Sequence, residues 1–261
     1  MTYCVAALVE EGIVFASDSR TSAGADDIAM FSKMMCWEIP GDRVIVVLCS
    51  GNLATTQSVI SLLKLRAKDD NGAPLPGGIL GLKRMFDVAA LVGTTLREVV
   101  NRERSVAEHG VDIDASFIVG GQIGSHIPRL FRIYAEGNFI EASSDTNFFQ
   151  IGETKYGKPI IDRVVHFDTP MKQVAKSFLV SFDSTMRSNL SVGLPIDLIA
   201  YERDTCRITL KRRFKNGDAY FSKISGVWSA GLRRAFAEVP DVPWVDEPEQ
   251  IDRRQSDRPA S

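Results

Sequence analysis

The chain has 261 residues, 44% hydrophobic and 25% charged, enough for one large domain whose core needs no disulfides or metals. Lys and Arg total 31 against 33 Asp and Glu, a net charge of −2, which excludes a basic nucleic-acid binder working by bulk charge. Apolar runs such as residues 44–49 and 88–92 are far too short to span a bilayer.

The expected elements begin with a hairpin. Residues 3–9 are apolar and β-prone, Glu10-Glu11-Gly12 is a turn signal, and residues 13–16 return as a strand ending in Ser17-Asp18-Ser19-Arg20. A small polar loop is expected over 21–27, a third strand over 33–39, the turn Pro40-Gly41-Asp42, and a fully buried strand over 43–49. The period then changes. Behind Ser50-Gly51-Asn52, with Asn52 as N-cap, the positions Leu53, Val59, Ile60, Leu62 and Leu63 suit an amphipathic helix to about residue 68. A loop rich in Pro and Gly over 69–78 leads to a longer helix over 80–107. Strands return at 115–119, 129–134 and 139–142, with Gly120-Gly121 and Glu136-Gly137-Asn138 as turns. Ile151-Gly152-Glu153 leads into a short segment ending near Val165. A helix over 170–187 buries Val174, Phe178, Leu179 and Phe182, with Pro170 in its first turn. Strands at 196–201 and 206–210 and a helix over 220–237 follow. After Pro240 the chain turns polar and Pro-rich, so 2–240 reads as the domain and 241–261 as a disordered tail or interface arm, with Trp244 a candidate anchor.

Helix pairs interrupt runs of hairpin-connected strands. Two antiparallel sheets packed face to face, with helices on their outer faces, satisfy that order and give an α+β domain. Strand-helix-strand alternation is absent, which disfavours Rossmann and TIM folds.

The chemistry-bearing residues are few. Cys4, Cys36, Cys49 and Cys206 form no C-x-x-C pair, and none lies near a histidine at ligand spacing. His109, His126 and His166 have no nucleophile motif beside them, and G-x-S-x-G does not occur. Gly120-Gly121-Gln122-Ile123-Gly124 opens no helix and reads as a hairpin turn rather than a phosphate loop. No motif for a metal or an organic cofactor stands out, and no nucleic-acid or membrane partner is implied. No basic n-region precedes Glu10-Glu11, so a cytoplasmic protein with reduced thiols is expected.

A nucleophile that needs no histidine is available at the start of the chain. Thr2 is small enough for a methionine aminopeptidase to remove Met1, which leaves Thr2 with a free α-amine and a β-hydroxyl. An α-amine has a reference pKa of about 7.7–8.0, so it can act as the general base for the hydroxyl of its own residue. The hairpin brings residues 18–20 back beside Thr2; with the turn centred at Glu11, Thr2 faces Arg20 and Asp18 is its diagonal neighbour. Asp18 closes an apolar strand and needs a partner. Lys33, at the start of the next strand, would supply one, and its ammonium would favour deprotonation of the Thr2 hydroxyl. Gly51 stands where a buried strand hands over to a helix, a junction suited to an oxyanion hole. Each residue also has an ordinary reading. Many chains begin Met-Thr, Asp18 can cap a turn, Arg20 and Lys33 can be solvated charges, and Gly51 can serve turn geometry.

Jointly, Met1-Thr2-Tyr3-Cys4-Val5-Ala6, Ser17-Asp18-Ser19-Arg20, Ser32-Lys33-Met34 and Cys49-Ser50-Gly51-Asn52 resemble the proteasome-type β-subunits of the N-terminal-nucleophile hydrolases. More narrowly they resemble the bacterial ancestral-β-subunit group, Anbu, and the segments 151–159 and 186–195 strengthen that match, which covers residues 2–240. The resemblance implies a four-layer αββα sandwich and a threonine-type peptidase. Thr2 would be nucleophile and base, Asp18 and Lys33 would tune it with Arg20 beside them, and the Gly51 amide would be the oxyanion donor. It also implies self-assembly into a ring or spiral and a peptide or amide substrate, and leaves open whether an ATPase or other partner delivers that substrate. Two positions depart from the proteasome pattern. Glu153 stands where a serine follows the glycine matched by Gly152, and Ser188 stands at the aspartate of the D-x-x-S element whose serine is Ser191. Glu153 is either a carboxylate supplied from another direction or a surface residue; Ser188 and Ser191 are either relay members or loop hydroxyls satisfying backbone groups. The departures keep two other functions open: an assembly scaffold without robust proteolysis, and an amidase acting on small non-peptide amides.

Overall fold

The computed structural model describes residues 2–22, 28–104 and 112–242. The chain divides into two compact units, residues 1–225 and 226–261.

The first unit is a sandwich of two five-stranded antiparallel sheets. One has the order β10-β1-β2-β11-β12, built from β1 (Tyr3–Val9), β2 (Gly12–Asp18), β10 (Phe148–Gly152), β11 (Ile196–Glu202) and β12 (Ile208–Phe214). The other has the order β5-β6-β7-β8-β9, built from β5 (Met34–Ile39), β6 (Arg43–Gly51), β7 (Ala115–Ile123), β8 (Arg129–Ile133) and β9 (Phe139–Glu141). The short ribbon of β3 (Arg20–Ser22) and β4 (Ile28–Met30) stands apart from both. The helices are α1 (Leu53–Leu65), α2 (Met85–Arg104), α3 (Lys158–Val164), α4 (Met171–Ser188) and α5 (Ala219–Glu238).

Side-chain alternation explains why the strands read as unbroken apolar runs. Along β1, Tyr3, Val5, Ala7 and Val9 pack beneath α3 and α4 with Val174, Phe178 and Phe182, while Cys4, Ala6 and Leu8 face the second sheet. Along β6, Ile45, Val47 and Cys49 face α1 and α2, while Val44, Val46 and Leu48 meet Cys4, Ala6 and Phe15 between the sheets. Both faces of β1 and β6 are therefore buried, and period-2 polarity disappears from their sequence. The result is the expected four-layer αββα arrangement. In the second unit, α5 continues to Glu238 with Val227, Leu232 and Phe236 exposed.

Several details differ from the sequence reading. Gly120-Gly121 is no turn; it lies inside β7. The reason is crowding: a Cβ on Gly120 would sit 2.8 Å from Leu130 and 2.9 Å from Phe15, and one on Gly121 would sit 1.9 Å from the Val44 carbonyl oxygen. Ile151 and Gly152, expected only as a lead-in to the next segment, end the edge strand β10, which starts at Phe148. The polar segment after Arg20 contains β3 and β4; residues 23–27 lie outside the described residues. The long helix starts at Met85 rather than at residue 80, and its expected last residues, 105–107, lie outside the described ones, as do Trp244 and all of the expected tail beyond residue 242. The first hairpin pairs Cys4 with Ser17 and Val9 with Gly12. By that register Thr2 falls opposite Ser19, one residue from the expected Arg20.

Candidate active site

Strand β1 runs between β2 and β10, so its first residues are flanked on both sides. On the β2 side, the Tyr3 amide donates to Asp18 Oδ1 at 3.0 Å. Asp18 is wholly buried, and its two carboxylate oxygens each accept from Lys33 Nζ at 2.9 Å. The third Lys33 proton goes to the Arg20 carbonyl oxygen at 2.5 Å, so all three donors of the ammonium are used. Lys33 is only 6% exposed, and its own carbonyl accepts from the Cys49 amide at 3.0 Å, which ties it to β6. Burial pushes the Asp18 carboxyl above its ordinary value, and the Lys33 ammonium and the Tyr3 N–H pull it back down.

Gly51 ends β6 with φ +115°. A Cβ there would stand 2.3 Å from the Asp114 carbonyl oxygen, so only glycine fits this approach of β6 to the segment before β7. Asn52 caps α1 as its sequence position suggests, with Oδ1 accepting from the Thr55 amide at 3.2 Å; such a cap contributes about 1 kcal/mol. The cap orients α1 so that Leu53, Gln57 and Ile60 line a cavity of about 340 Å³ together with Thr2, Lys33 and Gly51. Cys49 lines it as well; burial pushes its thiol up to about 12, with Lys33 pulling it down and Asp18 raising it.

On the β10 side, Gly152 pairs with Tyr3 and takes φ +82°. Its missing Cβ would lie 1.9 Å from the Thr2 carbonyl oxygen. That close approach lets the Glu153 amide donate to the same oxygen at 2.7 Å. Glu153 is buried, and its Oε2 accepts from Asn189 Nδ2 at 2.8 Å. Asn189 Oδ1 in turn accepts from Ser191 Oγ at 2.6 Å and from the Ser191 amide at 3.0 Å.

Thr2, Lys33 and Gly51 thus line one cavity, Asp18 is bonded to Lys33 and to the Tyr3 amide, and Glu153 and Ser191 are linked to each other through Asn189. Arg20 is half-buried, with its side chain against Gly193, where a Cβ would meet Arg20 Cδ at 2.8 Å. Ser188 is the exposed last residue of α4. The group that meets Glu153 is its neighbour Asn189, which the sequence reading passed over. A signal for it existed: Asn followed two residues later by Ser, just past a helix end, is the pattern of an Asx turn. Among the described residues no group of three or more His, Cys, Asp or Glu side chains is placed to hold a metal ion. No described helix is long and apolar enough to cross a membrane.

Among solved structures the chain is similar to Anbu, the ancestral β-subunit, from Yersinia bercovieri, with 46% identity and a TM-score of 0.84 over 93% of this chain and 100% of that one. It is similar to Anbu from Hyphomicrobium sp. strain MC1, with 48% identity and a TM-score of 0.83 over 93% of this chain and 100% of that one. It is also similar to the Anbu complex from Pseudomonas aeruginosa, described as a helical assembly, with 48% identity and a TM-score of 0.85 over 94% of this chain and 100% of that one. No family model and no curated protein matches the sequence.

Proposed function

Because the chain belongs to the Anbu family of ancestral proteasome-type β-subunits, we propose that it is a threonine-type amidohydrolase acting on peptide or amide bonds, with Thr2 as the first residue of the mature chain. The observation that carries this reading is the buried Asp18–Lys33 pair at 2.9 Å, whose lysine lines the cavity that Thr2 and Gly51 share. A buried ion pair contributes little net stability compared with apolar packing. A buried lysine that lines the same cavity as residue 2 has a chemical use.

In this mechanism the Thr2 α-amine takes the proton from Oγ as Oγ attacks the substrate carbonyl carbon. The Lys33 ammonium stabilises the developing alkoxide, and Asp18 keeps that ammonium in place. The Gly51 amide donates to the oxyanion, a contact worth roughly 2.7–4 kcal/mol in other hydrolases. The protonated amine then gives its proton to the leaving nitrogen. An ester on Thr2 Oγ remains, and water activated by the same amine hydrolyses it. Arg20, Glu153 and Ser191 are accessory groups around this centre. The four cysteines are free thiols, which supports a reducing compartment, the cytoplasm. The helical assembly of the Pseudomonas aeruginosa relative supports a self-associating protein.

The decisive experiment is mass spectrometry of the purified chain before and after a β-lactone or epoxyketone probe. Loss of Met1 and a single adduct on Thr2 are expected, with no adduct on Thr2→Ala. Retained Met1, or amide cleavage that survives Thr2→Ala, would overturn the mechanism.

A second reading has its own observation. Ser188 is exposed; by the resemblance it stands at the aspartate of the proteasome pattern and Glu153 at its serine, which favours an assembly scaffold that has kept the fold without robust proteolysis. Silence toward the probe with a free Thr2 amine would select it.

A further inference from the structure

The chain carries two Asn-Gly steps, Asn71-Gly72 and Asn216-Gly217. They match in most respects. All four residues are exposed. Gly72 takes φ +82° and Gly217 φ +80°, and a Cβ on either glycine would meet nothing within 4 Å. They differ in what holds the glycine nitrogen.

Asn71-Gly72 is tied down by Asp69. The Gly72 amide donates to the Asp69 carbonyl at 2.9 Å, and the Asp69 amide donates to the Ala73 carbonyl at 2.8 Å. Asp69 Oδ1 accepts from the Asn71 amide at 3.0 Å and from the Ala73 amide at 2.8 Å. Asn216-Gly217 lies in the connection from β12 to α5. Its turn is closed by one bond, from the Asp218 amide to the Lys215 carbonyl at 3.1 Å. Among the described residues the Gly217 amide has no protein acceptor, and nothing holds the Asn216 side chain.

We infer that Asn216 is a modification site, where the free Gly217 amide converts the side-chain amide into aspartyl and isoaspartyl forms, while Asp69 protects Asn71. The Gly217 nitrogen, with its proton lost to hydroxide, attacks Asn216 Cγ. A C–N bond forms, the ring closes to a succinimide, and the side-chain nitrogen leaves as ammonia. Glycine has no Cβ to screen that nitrogen. Water then opens the ring on either side. Cleavage of the new N–Cγ bond leaves an aspartyl residue. Cleavage of the original peptide bond leaves an isoaspartyl residue, with the chain running through the former side chain. The net change is one water taken up and one ammonia released, so no further reagent is needed. At Gly72 the same attack requires the bond to the Asp69 carbonyl to break and the turn around it to open. Each such bond is worth a factor of roughly two to ten.

The two products differ in effect. Asp218 caps α5: its Oδ1 accepts from the Phe221 amide at 2.9 Å, its carbonyl accepts from the Ser222 amide at 3.0 Å, and its carboxylate meets Arg212 at 3.2 Å. A second negative charge near that helix start is tolerated. An extra main-chain carbon is not. Phe214 and Phe221 fix the two ends of the connection in the core, their ring centroids 6.3 Å apart, so the isoaspartyl form has to displace the first turn of α5.

The test follows the full-length protein, incubated folded in mildly alkaline buffer, by peptide mapping that separates the Asn, aspartyl and isoaspartyl forms. Carboxyl methyltransferase labelling identifies the isoaspartyl form. Conversion at Asn216 is expected to run roughly ten times faster than at Asn71, to rise with pH, and to vanish in Asn216→Gln. In denaturant the two rates are expected to converge. Asp69→Ala is expected to speed conversion at Asn71 several-fold and to leave Asn216 unchanged. Amide hydrogen exchange in the first turn of α5 is expected to quicken several-fold in the isoaspartyl form and not in Asn216→Asp, which carries the charge alone. Conversion at Asn216 no faster than at Asn71 overturns the inference. So does a difference that survives unfolding, because it would belong to the local sequence and not to the two turns.

Discussion

Strands β2 and β6 each run from one buried polar cluster to another, and the two clusters are built differently. At the far end, Ile13 of β2 pairs with Tyr201 and Val44 of β6 pairs with Gln122. There the Tyr201 hydroxyl donates to Gln122 Oε1, the Asp204 amide donates to the same oxygen at 3.0 Å, and Gln122 Nε2 donates to Asp204 Oδ1 at 2.9 Å. At the near end, β2 closes with Asp18 and β6 with Gly51, and the cluster is a buried ion pair. Both ends meet the rule that a buried polar group must be hydrogen-bonded. The far end does so around a neutral amide and a phenol, which shows that closing the sandwich requires no buried cation. The charge at the near end, on the cavity wall beside Thr2, therefore calls for a chemical explanation.

The sharpest way to break this contrast is to remove the cation. Lys33→Met leaves Asp18 buried with the Tyr3 N–H as its remaining donor among the described contacts. Loss of about 3–5 kcal/mol of stability is expected, the cost of stranding one partner of a buried pair, read by denaturant unfolding. Combining it with Asp18→Asn is expected to restore most of that stability and none of the labelling of Thr2 by a covalent probe. A double variant that acylates at the wild-type rate would show that the near cluster is as purely architectural as the far one.

The near cluster was largely legible in the sequence. Thr2, Asp18 and Lys33 are brought together by one hairpin and one short connection, so local turn geometry almost reaches them; the register slipped by a single residue because Glu10-Glu11 admits two turn centres. The sandwich was legible from the order of strands and helix pairs. What escaped depends on distant packing. Gly120-Gly121 has the signature of a turn, and only the approach of Phe15 and Leu130 from other strands explains it within β7. Strand β10 escaped because its polar Gln150 is spent on the buried Tyr3 hydroxyl, at 2.6 Å, which no local pattern reveals. Phe86, an apolar residue in the first turn of α2, is half-exposed. It stacks edge-on with Phe139 at 5.2 Å, a partner contributed by β9.

A milder perturbation falls on the far cluster. Tyr201→Phe removes one neutral hydrogen bond and leaves the Asp204 amide on Gln122 Oε1. A loss of about 1 kcal/mol is expected, read by the same unfolding experiment, with probe labelling of Thr2 unchanged. A loss as large as that of Lys33→Met would erase the distinction between the two ends.

The smallest effect is chemical and asks how dry the near end is. Only the thiolate of a cysteine is alkylated. Burial pushes the Cys49 thiol on the cavity wall up to about 12, and burial, followed by Glu38, pushes the half-buried Cys36 up to about 11. Both are raised, so both are protonated at pH 8, and the thiolate fraction of each grows about tenfold per pH unit below its own value. Cys36 is therefore expected to react with iodoacetamide roughly ten times faster than Cys49 at any pH from 7 to 9, with the unfolded chain labelled at all four positions as the control. Peptide mapping by mass spectrometry gives the two rates. A Cys49 that reacts as fast as Cys36 would mean that water or the Lys33 ammonium reaches its sulfur, and that the wall of the cavity is wetter than the buried ion pair beside it requires.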